Sequence, residues 1–177
     1  MNLRNCLAQL TLVLVATGCS LPPAAAPHGE AGSSVPLSAA SPAPSSAAPS
    51  TGLATIQACD LLTAEEAASL SVPAQGRPDT VLGLRRCDWG TAEGGISTGI
   101  NEKLGINGVV LTSASNVTIG RHRAKRAMED GGPGYCAVIL AVGDTANVSV
   151  LGLYLNDTPR ACAAADRAAA FVEPKLP

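Results

Sequence analysis

Four cysteines, Cys59, Cys87, Cys136 and Cys162, lie in the later two thirds of this chain, and no two of them form a Cys-x-x-Cys pair. Without that spacing neither a zinc site nor a thioredoxin-type redox centre has support, and two structural disulfides are the simplest use of the four. Small domains outside the cytoplasm commonly stabilise a modest core in this way, each bond contributing about 2 to 4 kcal/mol. Of the three connectivities that four cysteines allow, Cys59 with Cys87 and Cys136 with Cys162 is favoured here. Each of those bonds would pin one terminal helix to a neighbouring strand.

The other residues able to do chemistry are sparse. His122 is the sole histidine after His28, so a histidine-based triad or a multi-histidine metal centre has no partners to draw on. It sits in Arg121-His122-Arg123-Ala124-Lys125-Arg126, which reads as a solvated turn or edge partly balanced by Glu129 and Asp130. As a site it would be a patch of Arg121, His122, Arg123, Lys125 and Arg126 for anionic lipid head groups or wall polymer, worth about 1 kcal/mol per basic side chain near a membrane. Gly131-Gly132-Pro133-Gly134 lacks the Lys-Ser/Thr that a phosphate loop needs and no helix is expected after it, so it reads as a turn. Asp60, Glu65 and Glu66 could be drawn as the paired acids of glycoside hydrolysis. Thr63-Ala64-Glu65-Glu66 has the capping-box spacing, however, and accounts for the acids without a substrate. The sequence therefore assigns no catalytic residue, no metal ligand and no cofactor.

The N-terminus decides where such a domain would work. Arg4 precedes an apolar run from Leu7 to Ala16, the layout of an export signal and far short of the roughly 20 residues that span a bilayer. The run leads through Leu14-Val15-Ala16-Thr17-Gly18 to Cys19, which resembles the lipobox of bacterial lipoproteins, where that cysteine is lipidated after the signal is removed. Residues 1–18 are thus expected as signal peptide, carrying Cys6 away, and Cys19 as the lipidation site. Lipoboxes usually have Leu where Ala16 stands, so secretion with cleavage nearby is the alternative. A diacylglyceryl group buries enough methylenes for stable anchoring, which a single acyl chain does not. The sequons at Asn116, Asn147 and Asn156 then read as chance.

Residues 19–53 are almost wholly Pro, Ala, Ser, Gly and Thr, too poor in apolar surface to offset the entropy of ordering. They read as a disordered tether of about 30 to 35 Å as a coil and roughly 100 Å if drawn out as polyproline II. The folded domain is expected over 54–177. Its core must be aliphatic and small, because the 177 residues include one Trp, one Phe and two Tyr. A net charge of -2 offers nucleic acid no basic footprint.

The elements that must position these residues follow from periodicity. A short helix is expected from Ala64 to about Leu70, and strands at 85–90, 96–101, 108–112 and 117–121, with a helical turn at 124–130. Cys87 and Trp89 share a strand face and can both point inward. Stronger strands at 135–142 and 146–155 flank Gly143-Asp144-Thr145, a hairpin connection. Thr158 should cap a last helix, from Pro159 to about Val172, whose Ala161, Ala164, Ala165, Ala168, Ala169 and Val172 form one broad small-residue face. The order is α+β: an antiparallel sheet of about five to six strands with a short N-terminal helix and a C-terminal helix packed on it, held by two disulfides.

Cys59-Asp60-Leu61-Leu62-Thr63 before an Ala/Glu helix, Cys87-Asp88-Trp89 on a strand, Cys136 opening a Val/Ile-rich strand and Pro159-Arg160-Ala161-Cys162 opening an Ala-rich helix resemble a family of uncharacterised actinobacterial lipoproteins with a domain of unknown function. The resemblance covers nearly the whole chain. It implies a lipid-anchored envelope protein with a disulfide-held α+β domain related to the Mog1/PsbP-like fold, and no catalytic residue. The function expected is a non-catalytic binding, accessory or sensing domain on the outer face of the cytoplasmic membrane, with a protein, lipid or wall component as partner and no nucleic acid. An extracytoplasmic enzyme with a carboxylate or serine site, or a structural spacer, is the alternative. Convergent carboxylates of raised pKa in a deep pocket would favour the enzyme, and a shallow groove or flat patch the binding domain.

Overall fold

The computed structural model describes residues 52–177. The expected signal peptide, Cys6, the lipidation site Cys19 and the tether lie outside the described residues. One antiparallel sheet holds seven strands in the order β1-β2-β3-β7-β6-β5-β4. They are β1 (Arg77–Val81), β2 (Leu84–Gly90), β3 (Gly94–Asn101), β4 (Ala114–Ile119), β5 (His122–Met128), β6 (Tyr135–Val142) and β7 (Ala146–Tyr154). Two meanders, β1 to β3 and β4 to β7, join where β3 pairs with β7, and residues 102–113 carry the chain from that centre to the far edge. Helix α2 (Thr158–Val172) packs on β6 and β7, while α1 (Ala64–Ser69) lies in the N-terminal segment that completes the same core.

The α+β class holds, but the sheet has seven strands rather than five or six. Strand β1 escapes sequence reading because Arg77-Pro78-Asp79 has no apolar alternation; pairing through the Leu82-Gly83 turn, both residues with positive φ, makes it a strand. The expected helical turn at 124–130 is instead most of β5, where pairing on both sides overrides the helix preference of Ala, Lys, Arg and Met. The expected strand at 108–112 is a loop after a 3-10 turn at Ile106–Gly108. Its Val109 and Leu111 pack on a small cluster of Ile106, Ala127, Ala137, Ile139 and Ala141, so their spacing serves contact with the sheet face and not a ladder.

Alternation along the strands separates two layers. Cys87, Trp89, Ile96, Ile100, Val138, Leu140, Val148 and Val150 turn toward the helices and form the main core. Trp89 is buried under Gly76, where a Cβ would come within 2.6 Å of the indole Cε2 and 2.3 Å of Cys87 Sγ. The small-residue face of α2 is buried as its pattern predicts, with Ala161, Ala165, Ala168, Ala169 and Val172 fully enclosed. Close approach is complete at Gly152 on β7, where a Cβ would stand 2.1 Å from the Ala161 carbonyl oxygen. The helix start differs by one residue from the expected cap. Asp157, not Thr158, accepts the Arg160 N–H at 3.0 Å, while the Thr158 hydroxyl accepts from Gly134 N–H and donates to Glu129.

Candidate functional site

The four domain cysteines tie the helical layer to the sheet at two places. Cys59, in the 3-10 turn Ala58–Leu61, meets Cys87 of β2 with sulfurs 2.00 Å apart, and Cys136 of β6 meets Cys162 of α2 at 2.09 Å. Both pairs are therefore at disulfide distance in the favoured connectivity. Each ties a segment of the helical layer to the sheet beneath it. Among the described residues no group of three or more His, Cys, Asp or Glu side chains is arranged to hold a metal ion, and no helix is long and apolar enough to cross a membrane.

The basic hexapeptide does not form one patch. Because β5 is a strand, its side chains alternate, and His122, Ala124 and Arg126 face the helical layer while Arg123 and Lys125 face the other side. His122 is buried, its Nδ1 2.8 Å from Glu173 Oε1 and its Nε2 3.2 Å from the Pro177 carbonyl oxygen. Arg121, in the β4–β5 turn, donates its N–H to Glu173 and its guanidinium to the Leu176 carbonyl. Arg126 makes a bidentate pair with Asp166 of α2, at 2.9 and 3.0 Å. Three of the five groups are thus engaged in holding the C-terminal residues and α2 to the sheet. Sequence reading missed this role, and Glu173-Pro174-Lys175, which supplies part of it, carried no signal beyond a Pro that ends a helix.

Arg123 and Lys125 remain on the opposite face, beside β4. They line an open groove of about 520 Å³ together with Asn116, Thr118, Ile106 and Asn107. Asn116 lies across from Lys125 and Thr118 across from Arg123 in the β4–β5 register. Lys125 Nζ reaches the Val109 carbonyl at 3.3 Å, and Arg123 stands 3.9 Å from the exposed Asp144. Exposed pairs at that distance hold little energy, so Arg123 is free to meet another anion. A second groove, of about 840 Å³, runs between residues 57–60 and the β1–β2 hairpin, with Cys59, Gly76, Pro78 and Thr80 in its walls. Its Arg85 is already committed to the Leu53 carbonyl and to Glu102.

Of the acids considered at the outset, Glu66 has a structural role. Thr63 and Glu66 make the reciprocal capping box of α1, and Glu66 also takes the Lys175 ammonium at 2.5 Å. Burial opposes the charge on Glu66, but Lys175 and the Thr63 N–H outweigh it and hold the carboxyl below its ordinary range. Asp60 and Glu65 are exposed. The hydroxyl and N–H of Thr112 pull Asp130 down, and the Arg121 N–H, then His122, do the same for Glu173. Carboxyls shifted downward are poor general acids at neutral pH. Tyr135 moves the other way, its phenol raised by burial and by the nearby Asp130 charge. Residues 131–134 lie in the β5–β6 connection, where Glu129, Gly132 and Gly134 take positive φ.

No curated protein and no solved structure matches this chain. Residues 14–175 match the family described as "Protein of unknown function (DUF3558)". That match runs from the last part of the N-terminal apolar stretch, across Cys19 and all four paired cysteines, to the residues after α2. The chain belongs to the DUF3558 family of proteins of unknown function.

Proposed function

We propose that this chain is a cell-envelope lipoprotein, anchored through Cys19 to the outer face of the cytoplasmic membrane, whose domain from residue 54 onward is a non-catalytic binding module. The observation that carries the reading is the pairing of every domain cysteine at disulfide distance in a chain that opens on an export-type N-terminus. Disulfides persist in oxidising compartments and are rare in the cytoplasm. The family match supports it by beginning at residue 14, inside the segment that ends on Cys19. Kinship with the actinobacterial lipoproteins and with the Mog1/PsbP-like fold belongs to the same proposal, supported by the sheet with α2 on one face.

Binding rather than catalysis is favoured by the shape and charge of the surface. The grooves are open, and among the described residues the three carboxyls that depart from ordinary behaviour, Glu66, Asp130 and Glu173, all move down. Intact-mass measurement on the full-length product extracted from membranes tests the address. The expected mass lacks residues 1–18, carries a diacylglyceryl group and is four hydrogens short of the reduced form. A lipid-free product in the culture fluid, or four alkylatable thiols after unfolding, overturns it.

A further inference from the structure

The two edges of the sheet are unlike. β1 is fully exposed and carries Arg77, Pro78 and Asp79, the charges and the missing N–H that keep an edge from pairing with another chain. β4 reads Ala114-Ser115-Asn116-Val117-Thr118-Ile119, with neither a charge nor a proline. Its Val, Thr and Ile are strong strand formers. A two-residue turn, Gly120-Arg121, closes Ile119 on His122. In an antiparallel pair alternate residues of an edge strand turn their N–H and C=O away from the neighbour, and from that turn those residues are Ala114, Asn116 and Thr118.

We propose that β4 is a strand-addition site for an extended peptide segment of a partner protein in which acidic side chains alternate with apolar ones. The pairing register sets the pattern. A segment laid along β4 places every second side chain beside Asn116 and Thr118, over the groove into which Arg123 and Lys125 project from the next strand. Those side chains meet two cations and must be acidic to use them. The intervening ones lie beside Val117 and Ile119, which border the main core, and the polar groups on that side are closed off because the Arg126 guanidinium is held by Asp166 and the His122 ring by Glu173. Backbone hydrogen bonds would supply affinity and the alternating side chains selectivity. A second copy of this chain is a poorer occupant, because β4 against β4 brings two sets of Arg123 and Lys125 to one face with no acid between them.

This inference rests on the binding-domain reading, and its test is independent of the lipid anchor. The full-length chain, in detergent, is titrated into a fluorescein-labelled dodecapeptide alternating glutamate and valine, and fluorescence anisotropy is read. Three companions are measured: a lysine–valine peptide, a glutamate–valine peptide N-methylated at every second residue, and the Arg123→Ser/Lys125→Ser variant. Asn116→Pro removes one outward N–H without touching the β5 ladder. Binding of the glutamate peptide is expected to weaken about tenfold or more with N-methylation, with the double variant and with Asn116→Pro, and the lysine peptide is expected not to bind. No binding by the glutamate peptide, equal binding by the lysine or N-methylated peptide, or a concentration-dependent dimer abolished by Asn116→Pro each overturns the proposal. None of those results alters the intact mass, so the anchored-lipoprotein reading stands or falls separately.

Discussion

Glu173 and His122, 51 residues apart in sequence, meet with Oε1 2.8 Å from Nδ1, and both side chains are buried. The same oxygen accepts the Arg121 N–H at 2.9 Å, so one carboxylate closes the β4–β5 turn onto the segment after α2. At Gly120 in that turn a Cβ would stand 2.3 Å from the Glu173 carboxyl. A buried acid thus fits only because the turn residue beside it has no side chain. The basic run that looks like a surface patch in the sequence becomes, through this contact, the clasp of the C-terminal residues.

An acid-labile clasp follows. The Arg121 N–H, with His122 next, lowers the Glu173 carboxyl from 4.5. A folded-state pKa below the unfolded one stabilises the fold at pH above the unfolded value and loses that contribution as pH falls through the folded value. Glu173→Gln is expected to lower the urea midpoint at pH 7, with the difference from the parent shrinking as pH falls below about 4. Glu66 and Asp130 shift in the same direction, so the parent itself loses stability over that acid range. Urea titrations followed by Trp89 fluorescence between pH 3 and 7 check both statements.

Arg126 and Arg123 separate the structural from the available cations. Arg126 is bidentate on Asp166 and half-buried, whereas Arg123 faces a 3.9 Å exposed partner. Arg126→Gln is expected to destabilise the chain by about 1 kcal/mol. Arg123→Gln should stay within roughly 0.5 kcal/mol of the parent, as exposed substitutions usually do. Thermal melts of the two variants make the comparison, and equal losses would place both side chains in the same kind of environment.

The contrast between those two residues also marks how far the sequence is legible. Where both faces of an element have strong character, the reading and the structure coincide: β6 has the bounds expected from its Val/Ile run, and α2 buries the alanine face its spacing defines. Cys87 and Trp89 both point inward, fully buried, as the period of two requires. Elements made by pairing alone are not legible. β1 and β5 become strands because a neighbour offers a ladder, against residues that favour turn or helix, and β5 then splits His122 and Arg126 from Arg123 and Lys125 on its two faces. Residues 108–112 fail in the opposite sense, because apolar alternation can dock a loop on a sheet as well as build a strand. The candidate groove inherits that limit, since it exists only once Arg123 and Lys125 are placed on a strand beside β4.

The cysteine pairs close loops of nearly equal length, with separations of 28 and 26 residues. Loop-closure entropy then predicts similar contributions, about 3.5 kcal/mol each. Cys59→Ser/Cys87→Ser and Cys136→Ser/Cys162→Ser are expected to lower Tm by comparable amounts, and a reductant should lower the parent's Tm while leaving a variant that lacks all four cysteines unchanged. Calorimetry of the four proteins with and without reductant provides the measurement.

Gly152 and Ala161 set the tightest contact between sheet and helix. A Cβ on Gly152 would lie 2.1 Å from the Ala161 carbonyl oxygen and 2.9 Å from its carbon, so the obstacle is backbone and cannot rotate aside. The N-terminal part of α2 would have to lift from β7. It is held down there by the Cys136–Cys162 pair and by the Thr158 hydroxyl, which accepts the Gly134 N–H, so the helix cannot simply translate and the strain stays local. Gly152→Ala is therefore expected to destabilise by about 1 to 3 kcal/mol, the range for overpacking a well-filled core. Ala163, two residues along and on the exposed side of α2, supplies the control. Ala163→Ser changes the side chain by one atom where nothing is packed against it and should leave Tm within about 2 °C. Equal Tm for Gly152→Ala and the parent would mean that α2 rides farther from the sheet than this contact requires, and that its alanine face is loosely packed.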